Sequence, residues 1–287
     1  MLISRRDETL HARIASCWPL EGVRAGSALS WIAGRLLVVQ DDVLAVVLVD
    51  PRTRAIERIN LESTGQALPK PEKPDFEASV RAPNGIVYVL GSGSSPKRRR
   101  IARVDPATRE VALVDAGRLY DRLAERLGST PNLEGAVHLG DRVRLLHRGA
   151  GASPSAAVDV PPAALDGTDA EPSEACLWDL GQVGKVPLTF TDAAPFHRQR
   201  ILYLAVAEDT PNAIDDGAIV GAAIGVLDVA AGRWTPLTEV DGSLSLRKAE
   251  GLALDPDGRT GWLVTDPDDA ARPAELCRVE LTGRWEQ

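Results

Sequence analysis

The chain has 287 residues, which allows two domains of average size or one large all-β domain. Its 33 Lys+Arg and 41 Asp+Glu residues give a net charge of −8, and 44% apolar with 26% charged residues excludes a disordered chain or a coiled coil. An acidic chain gains little from phosphate backbones or anionic headgroups, so neither nucleic-acid nor membrane binding is expected.

The N-terminal residues Met1–Glu8 turn polar where a secretory signal needs an apolar segment, and no apolar run approaches the roughly 20 residues of a bilayer helix. A cytoplasmic location is therefore predicted. The three cysteines, Cys17, Cys176 and Cys277, are an odd number without a C-x-x-C pair, which argues against a disulfide framework and against a zinc site. We expect reduced and mostly buried thiols.

An internal repeat of about 57 residues runs through the chain. Each copy opens with an acidic residue, followed by small residues and a short apolar stretch. The fourth copy has Asp where the others have Glu, and no Gly follows it. The predicted copies of the acidic residue are Glu21, Glu77, Glu134, Asp192 and Glu250.

A turn signal and a second apolar run follow each acidic residue, as in Asn84-Gly85 before Ile86–Val89. The sequences Asp50–Arg54 and Asp105–Arg109 fit tight turns between a third and a fourth strand. Four strands per copy, repeated in tandem, predict an all-β fold: a five-bladed β-propeller with four antiparallel strands per blade. The predicted blades of this single domain, residues 1–287, span about 20–75, 76–132, 133–187, 188–248 and 249–287.

Three insertions interrupt the pattern. Leucines at helical spacing in Gly117–Gly128 predict one short amphipathic helix that ends at the second glycine. Residues 149–175 and Asp209–Gly217 are predicted loops. The last copy runs out of chain before an outer strand, so we predict that residues 8–19 supply that strand and close the ring.

The innermost strand of each propeller blade lines the central axis, so the five repeated carboxylates would converge there. Carboxylates this close cannot all stay ionised without compensation. Three arrangements are possible. In the first, a hard cation binds the carboxylates, and Ca²⁺ is the best match to a ring of oxygens. In the second, each carboxylate accepts backbone hydrogen bonds from the adjacent blade while Lys248 or Arg81 balances the charge, and in the third the carboxylates point elsewhere. The predicted metal ligands are Glu21, Glu77, Glu134, Asp192 and Glu250.

The ends of the second strands reach one face of the disc close to the axis, and they are unusually polar. Convergent polar groups around one mouth are what a small-molecule site needs, although strand ends are also polar where they meet solvent. Within Gly91–Arg100, small residues precede four cations, which could bind an anion or form a hairpin loop with a solvated basic tip. The predicted pocket residues are Gln40, Asp41, Ser92, Ser94, Arg99, His147, Arg148, Glu208, Asp209 and Asp266.

The starts Leu20–Val23 and Leu133–Ala136, together with Asn84–Ser94, resemble the blade pattern of bacterial phytase-like and "SdiA-regulated" (esterase-like) β-propellers. The resemblance covers all five copies through short motifs. It implies an axial calcium ion held by glutamates, here Glu21, Glu77, Glu134 and Glu250. The fourth copy departs from the pattern at Asp192.

Two functions fit these observations. The chain binds a small molecule, an anionic ligand or a protein partner, with a metal ion of structural importance on the axis. Alternatively, it is a calcium-dependent hydrolase of phosphate or carboxylate esters, in which the metal polarises a substrate oxygen and activates water. The sequence shows no nucleophile–base pair, which favours binding, and no catalytic residue is assigned.

Overall fold

The computed structural model describes residues 1–62, 75–149, 153–210, 217–269 and 271–287, and of Arg198 only the backbone. The described residues are mostly β-strands, so the predicted all-β class is confirmed. Among them, no helix has the length and apolar character that a membrane span requires.

The strands form five four-stranded antiparallel units, which we call blades, and the second of two N-terminal strands belongs to the fifth blade. The N-terminal strands are β1 (Leu2–Arg6) and β2 (Leu10–Pro19). Blade 1 contains β3 (Gly26–Ile32), β4 (Arg35–Gln40), β5 (Ala45–Val49) and β6 (Ile56–Asn60). Blade 2 contains β7 (Phe76–Arg81), β8 (Val87–Gly91), β9 (Arg100–Val104) and β10 (Val111–Asp115). A single α-helix in the described residues, α1 (Gly117–Leu127), follows blade 2.

The second half of the chain repeats this plan. Blade 3 contains β11 (Leu133–Leu139), β12 (Arg142–His147), β13 (Ser155–Val160) and β14 (Cys176–Asp179). A short strand, β15 (Gln182–Val183), leads into blade 4, which contains β16 (Val186–Pro195), β17 (Ile201–Asp209), β18 (Ala218–Leu227) and β19 (Gly232–Thr238). Blade 5 contains β20 (Ala249–Leu254), β21 (Thr260–Thr265), β22 (Glu275–Gly283) and the N-terminal β2. The 3₁₀ helices are Pro96–Arg98, Pro162–Asp166 and His197–Gln199.

The first strands of the blades form a closed circle. Strand β3 contacts β7, β7 contacts β11, β11 contacts β16, β16 contacts β20, and β20 returns to β3. The hydrophobic core is divided in the same way, because each of its five main clusters lies between two successive blades. Each blade therefore buries both faces only against its neighbours, which is the arrangement of a β-propeller.

The sequence accounts for the difference between middle and outer strands. Strands β5 and β8 lie between two neighbouring blades, and all of their residues are buried, so they read as continuous apolar runs. The outer strand β6 has only one neighbouring strand in its blade and is mostly polar, and Ile59 is its one buried residue. Between the third and fourth strands, Asp50 accepts hydrogen bonds from the backbone N–H groups of Arg52 (2.8 Å) and Thr53 (3.2 Å), as the predicted tight turn requires.

The N-terminal strand β2 closes blade 5. It pairs antiparallel with β22, the last strand of the chain, and Cys17 faces Cys277 across this pair and forms a disulfide with it. Our expectation that all three thiols are reduced is therefore wrong: only Cys176 is free. Strand β1 runs parallel to both β14 and β19, so the N-terminal segment joins the outer edges of blades 3, 4 and 5.

The insertions are partly as predicted. Helix α1 ends at Gly128, whose φ of 65° is the left-handed conformation that favours glycine, and its buried Leu119, Tyr120 and Leu123 cover the contact between blades 2 and 3. The segment 149–175 is not the predicted loop, because it contains strand β13 and a 3₁₀ helix. Part of it, 150–152, and most of the predicted loop Asp209–Gly217 lie outside the described residues.

Candidate functional site

A β-bulge marks the same position on the first strand of every blade. Each first strand skips one residue of its pairing with the second strand, at the second residue of the strand in blades 1, 2, 3 and 5 and in the middle of the longer strand β16 in blade 4. A bulge re-aims one side chain out of the sheet, and here it does so next to the axis. The bulged residues, in blade order, are Ser27, Glu77, Glu134, Thr191 and Glu250.

This register differs from the predicted one in two blades. Glu21 lies in the exposed turn between β2 and β3, six residues before the bulge of blade 1, so it does not join the other glutamates. Asp192 lies one residue beyond the bulge of blade 4, and a one-residue step along a strand changes the direction of the side chain. The structure brings together Glu77, Glu134 and Glu250 of the predicted set.

Backbone hydrogen bonds hold the carboxylate of Asp192. This residue is fully buried, and its carboxylate accepts hydrogen bonds from the backbone N–H groups of Leu252 (2.7 Å), Ala193 (2.7 Å) and, more weakly, Leu29 (3.4 Å). Burial raises its pKa, and these three donors oppose the rise. Asp192 therefore joins blades 4, 5 and 1 through backbone hydrogen bonds, as one of our alternatives expected for the whole ring.

The two hydroxyl residues at the bulge position also bind the next blade. Ser27 donates to the carbonyl oxygen of Phe76 (2.6 Å), and Thr191 donates to that of Ala249 (2.8 Å). Both acceptors are the first residues of the following inner strand. The bulge thus supplies inter-blade hydrogen bonds in blades 1 and 4, and carboxylates in blades 2, 3 and 5.

The three glutamates belong to a larger group of charged side chains at this end of the axis, which we call the acidic mouth. The ends of the second strands contribute predicted pocket residues to it, so the two predicted rings form a single cluster. Its charged members are Asp41, Asp75, Glu77, Glu134, Glu208, Glu250, Asp266 and Asp268, with the cations Arg98, Arg148 and Lys248. Carboxylates outnumber cations among the described residues of the mouth.

The cations are distributed unevenly. Arg148 pairs with Glu208 and lies 3.8 Å from Glu134, and Lys248 lies 2.7 Å from Asp268 and 3.8 Å from Glu250. Glu77 has no ion pair or hydrogen bond from its side chain to any described residue. Among the three axial glutamates, it is the one without a cation beside it in the described part of the chain.

Burial raises the pKa values of several carboxyl groups in the acidic mouth. Burial raises the pKa of Glu134 to about 7, against the opposing effect of Arg148, and raises that of Asp266 to about 6. The pKa values of Glu77 and Glu250 also rise well above the usual range, mainly through burial. Asp75, Glu134 and Asp41 add to the rise at Glu77 by repulsion.

Three carboxylates of the mouth have the geometry of a cation site. Oxygen atoms of Asp41, Asp75 and Glu77 all lie within 4.8 Å of one another, and the three residues are partly buried. Oxygen-only ligands suit Ca²⁺ or Mg²⁺. Sequence reasoning missed Asp75, because it precedes the first strand of blade 2 and belongs to no repeated motif. Its φ of 53° and the hydrogen bond from the Ser92 hydroxyl (2.6 Å) hold its carboxylate beside Glu77.

The remaining predicted pocket residues lie around this cluster or away from it. Ser94 bonds to Ser92 (2.9 Å) and to Arg98 (2.8 Å) on the rim. Gln40 and His147 are buried at second-strand ends, and among the described residues Gln40 Nε2 and His147 Nε2 have no hydrogen-bond partner. Asp209 is exposed at the end of β17.

His147 is not arranged as a general base. Its Nδ1 accepts a hydrogen bond from the backbone N–H of Asn132 (3.0 Å), which places the proton of the neutral ring on Nε2. Burial lowers its pKa to about 4. The neutral imidazole can therefore donate from Nε2, but it offers no free basic nitrogen to a substrate.

The basic stretch after Ser94 folds as a 3₁₀ turn whose arginines bind carboxylates of this chain. Arg98 contacts Asp75 at 2.7 Å, Arg99 contacts Asp121 of α1 at 2.6 Å, and Arg100 contacts Glu62 at 2.9 Å. Each of these three arginines thus has a carboxylate partner within the chain, and an anion site at Gly91–Arg100 stays a prediction. Arg99 faces the helix and not the mouth.

Comparison with known proteins places the chain in a family and supports the fold. No curated protein matches the sequence. The structure is similar to Myxococcus xanthus glutaminyl cyclase (TM-score 0.56, 11% identity, 99% of each chain covered). It is also similar to an α-L-arabinofuranosidase from Podospora anserina (0.53, 10%, 96% of each) and to a luciferin-regenerating enzyme (0.50, 9%, 94% of this chain and 97% of that one).

At such low identity, these likenesses show a shared β-propeller fold and no shared activity. The model of a family of unknown function, DUF6929, matches residues 22–281. That span takes in the inner strands of all five blades and the whole acidic mouth. The chain therefore belongs to family DUF6929.

Proposed function

We propose that the protein binds a divalent cation, Ca²⁺ in the first instance, at Asp41, Asp75 and Glu77, and that this cation forms part of a small-molecule site in the acidic mouth. The observation that carries the proposal is Glu77: it lies among other carboxylates, its pKa is raised, and no cation of the described chain pairs with it. A bound cation would relieve this repulsion.

The ligand class follows from the charge of the mouth. A free anion would meet mostly carboxylates there, so an anionic or hydroxyl-rich small molecule would bind through the cation, with Arg148 and the rim hydroxyls as further contacts. The resemblance to phytase-like propellers, in which glutamates hold axial calcium, supports Ca²⁺ as the first metal to test.

Binding is favoured over the alternative, a calcium-dependent hydrolase. His147 lacks a free basic nitrogen, and the Ser92 hydroxyl donates to Asp75 instead of to a histidine. A metal-activated water would need neither group, so turnover of a panel of carboxylate and phosphate esters with Ca²⁺ present, lost in Glu77→Gln, would favour the hydrolase.

The site itself is tested by calorimetric titration of the chelator-treated protein with Ca²⁺ and by its melting temperature. At free Ca²⁺ about 100 times the Kd, binding stabilises the fold by about 2.7 kcal/mol, which raises the Tm by roughly 5 °C. We expect Glu77→Gln to weaken binding at least about tenfold by removing one charged ligand. Glu110→Gln, at an exposed glutamate, is the matched control.

The proposal fails if the wild type shows neither binding heat nor a Tm increase with Ca²⁺ or Mg²⁺, or if Glu110→Gln weakens binding as much as Glu77→Gln. The cytoplasmic location stays a prediction. The Cys17–Cys277 disulfide argues for an oxidising compartment instead, because such bonds persist mainly there.

A further inference from the structure

A cavity opens at the end of the axis opposite the acidic mouth. The acidic mouth lies on the N-terminal side of the first strands, with their glutamate bulges at the second residue, whereas this cavity lies at the C-terminal ends of these strands, beside the first hairpin turns. Its volume is about 1170 Å³, and all five first strands contribute to its wall. None of the residues of the acidic mouth lines it.

The wall of this cavity is mostly apolar. Leu29, Val137 and Leu252 contribute aliphatic surface, and Trp31 and Phe196 contribute aromatic surface near the opening. A concave apolar wall with few polar groups is typical of sites for small apolar molecules. A ligand of that class would gain from leaving water there.

The opening carries positive charge on a protein whose net charge is −8. Arg52 and Arg81 lie at the opening, and Arg81 forms no ion pair with any residue in the described part of the chain. The lining carboxylate, Asp255, is already bound by Arg278 and by the Thr260 hydroxyl (2.7 Å). Arg52 forms one long ion pair, with Asp50 at 3.8 Å.

We propose that this cavity is a second binding site, separate from the acidic mouth, for an apolar small molecule with one carboxylate group. The apolar part lies against the aliphatic and aromatic wall, and the carboxylate lies at the opening beside Arg81 and Arg52. The positive charge of the two arginines favours a carboxylic acid over a neutral molecule of the same shape. This site requires no metal.

The probes are decanoate, below its micellar concentration, and 1-decanol, a neutral molecule of the same chain length. Their affinities are measured by displacement of the fluorescent dye 8-anilinonaphthalene-1-sulfonate. One exposed charge pair increases affinity by about threefold, so we expect two arginines to make the affinity for decanoate about tenfold higher than that for 1-decanol. We expect Arg81→Gln to reduce this advantage about threefold, and the double variant with Arg52→Gln to abolish it.

Arg5→Gln, at an exposed arginine on β1, removes the same charge far from the cavity and should leave the advantage unchanged. His138→Trp, at a partly buried lining residue, should weaken both probes by occupying the cavity. Equal affinity for decanoate and 1-decanol, no dye displacement, or an equal effect of Arg5→Gln would overturn the proposal. Chelator should change neither affinity, and a failure of the cation site would leave this result intact.

Discussion

Glu134 offers the sharpest test of the claim that burial in the acidic mouth raises the pKa of its carboxyl groups. Burial raises its pKa from 4.5 to about 7. A raised pKa means that the folded protein binds more protons than the unfolded chain between these values. This contribution to stability is therefore complete below pH 4.5 and is lost as the pH rises through 7. At 1.36 kcal/mol per pKa unit, the loss is about 3 kcal/mol.

We predict that Glu134→Gln becomes more stable relative to wild type as the pH rises from 4.5 to 7.5, in the presence of chelator. Gln keeps the shape but cannot ionise, so the variant avoids the loss of about 3 kcal/mol, or roughly 6 °C in Tm for a chain of this size. Arg148 keeps a partner in Glu208.

The measurement is the difference in unfolding free energy between variant and wild type, by urea denaturation at several pH values. The difference is needed because His147 has the opposite effect in both proteins: its pKa is lowered to about 4, so stability falls as the pH falls from 6.5. Glu110→Gln controls for the lost charge. A difference that stays constant from pH 4.5 to 7.5 would refute the reasoning, and saturating Ca²⁺ should reduce it.

Two further changes test the parts of the ring that carry no proposed ligand. Asp192→Ala removes the acceptor of three buried backbone N–H groups, so we expect a loss of about 2–4 kcal/mol in denaturant unfolding, against little change for the exposed Asp209→Ala. A near-neutral Asp192→Ala would mean that these N–H groups find other acceptors. Cys17→Ser opens the closing disulfide and should cost about 2–4 kcal/mol, or roughly 4–8 °C in Tm, whereas Cys176→Ser should not. Equal melting of wild type with and without reductant would contradict this.

Local patterns predicted much of the fold. The tight turn at Asp50 depends on an Asp side chain that bonds backbone two and three residues ahead, and helix α1 on leucine spacing with a terminal Gly128, so both signals are complete within a few residues. The pairing of β2 with β22 was also predictable, because the last copy of the repeat was too short for a blade.

The register at the axis was not predictable in this way. Leu20-Glu21-Gly22 matches the motif of blade 3, yet it lies in a turn, and the true position in blade 1 is Ser27. The bulge of blade 1 lies 50 residues before that of blade 2, whereas the next two gaps are 57 residues, so the period placed the acidic residue of blade 1 too early. In blade 4 the bulge at Thr191 shifts the side chains by one residue, which the spacing between motifs cannot detect. The three small residues Gly26-Ser27-Ala28, directly before an apolar run, were the sequence signal for the axial position of blade 1.

The disulfide could have been predicted from the strand pairing, although the number and spacing of the cysteines argued against it. Cys17 and Cys277 are 260 residues apart, so their spacing does not suggest a disulfide. The predicted closure, however, places residues 8–19 beside the last strand, and each of these segments contains one cysteine. Strand pairing, and not cysteine spacing, decides which thiols meet. Asp75 had no such signal, because its contacts with the Ser92 hydroxyl and with Glu77 exist only in the folded protein.

The composition of the bulge position explains why a cation site would lie to one side of the axis. Ser27 and Thr191 use their hydroxyls to bind the next inner strand, so blades 1 and 4 supply no axial carboxylate. Of the three glutamates, Glu134 and Glu250 each have a cation within 3.8 Å. Only Glu77 remains, and its neighbours Asp41 and Asp75 come from the adjoining ends of blades 1 and 2. A symmetric ring of five ligands would need carboxylates that this chain has either replaced or paired with a cation, whereas a site between blades 1 and 2 is built around Glu77, which has no cation beside it among the described residues.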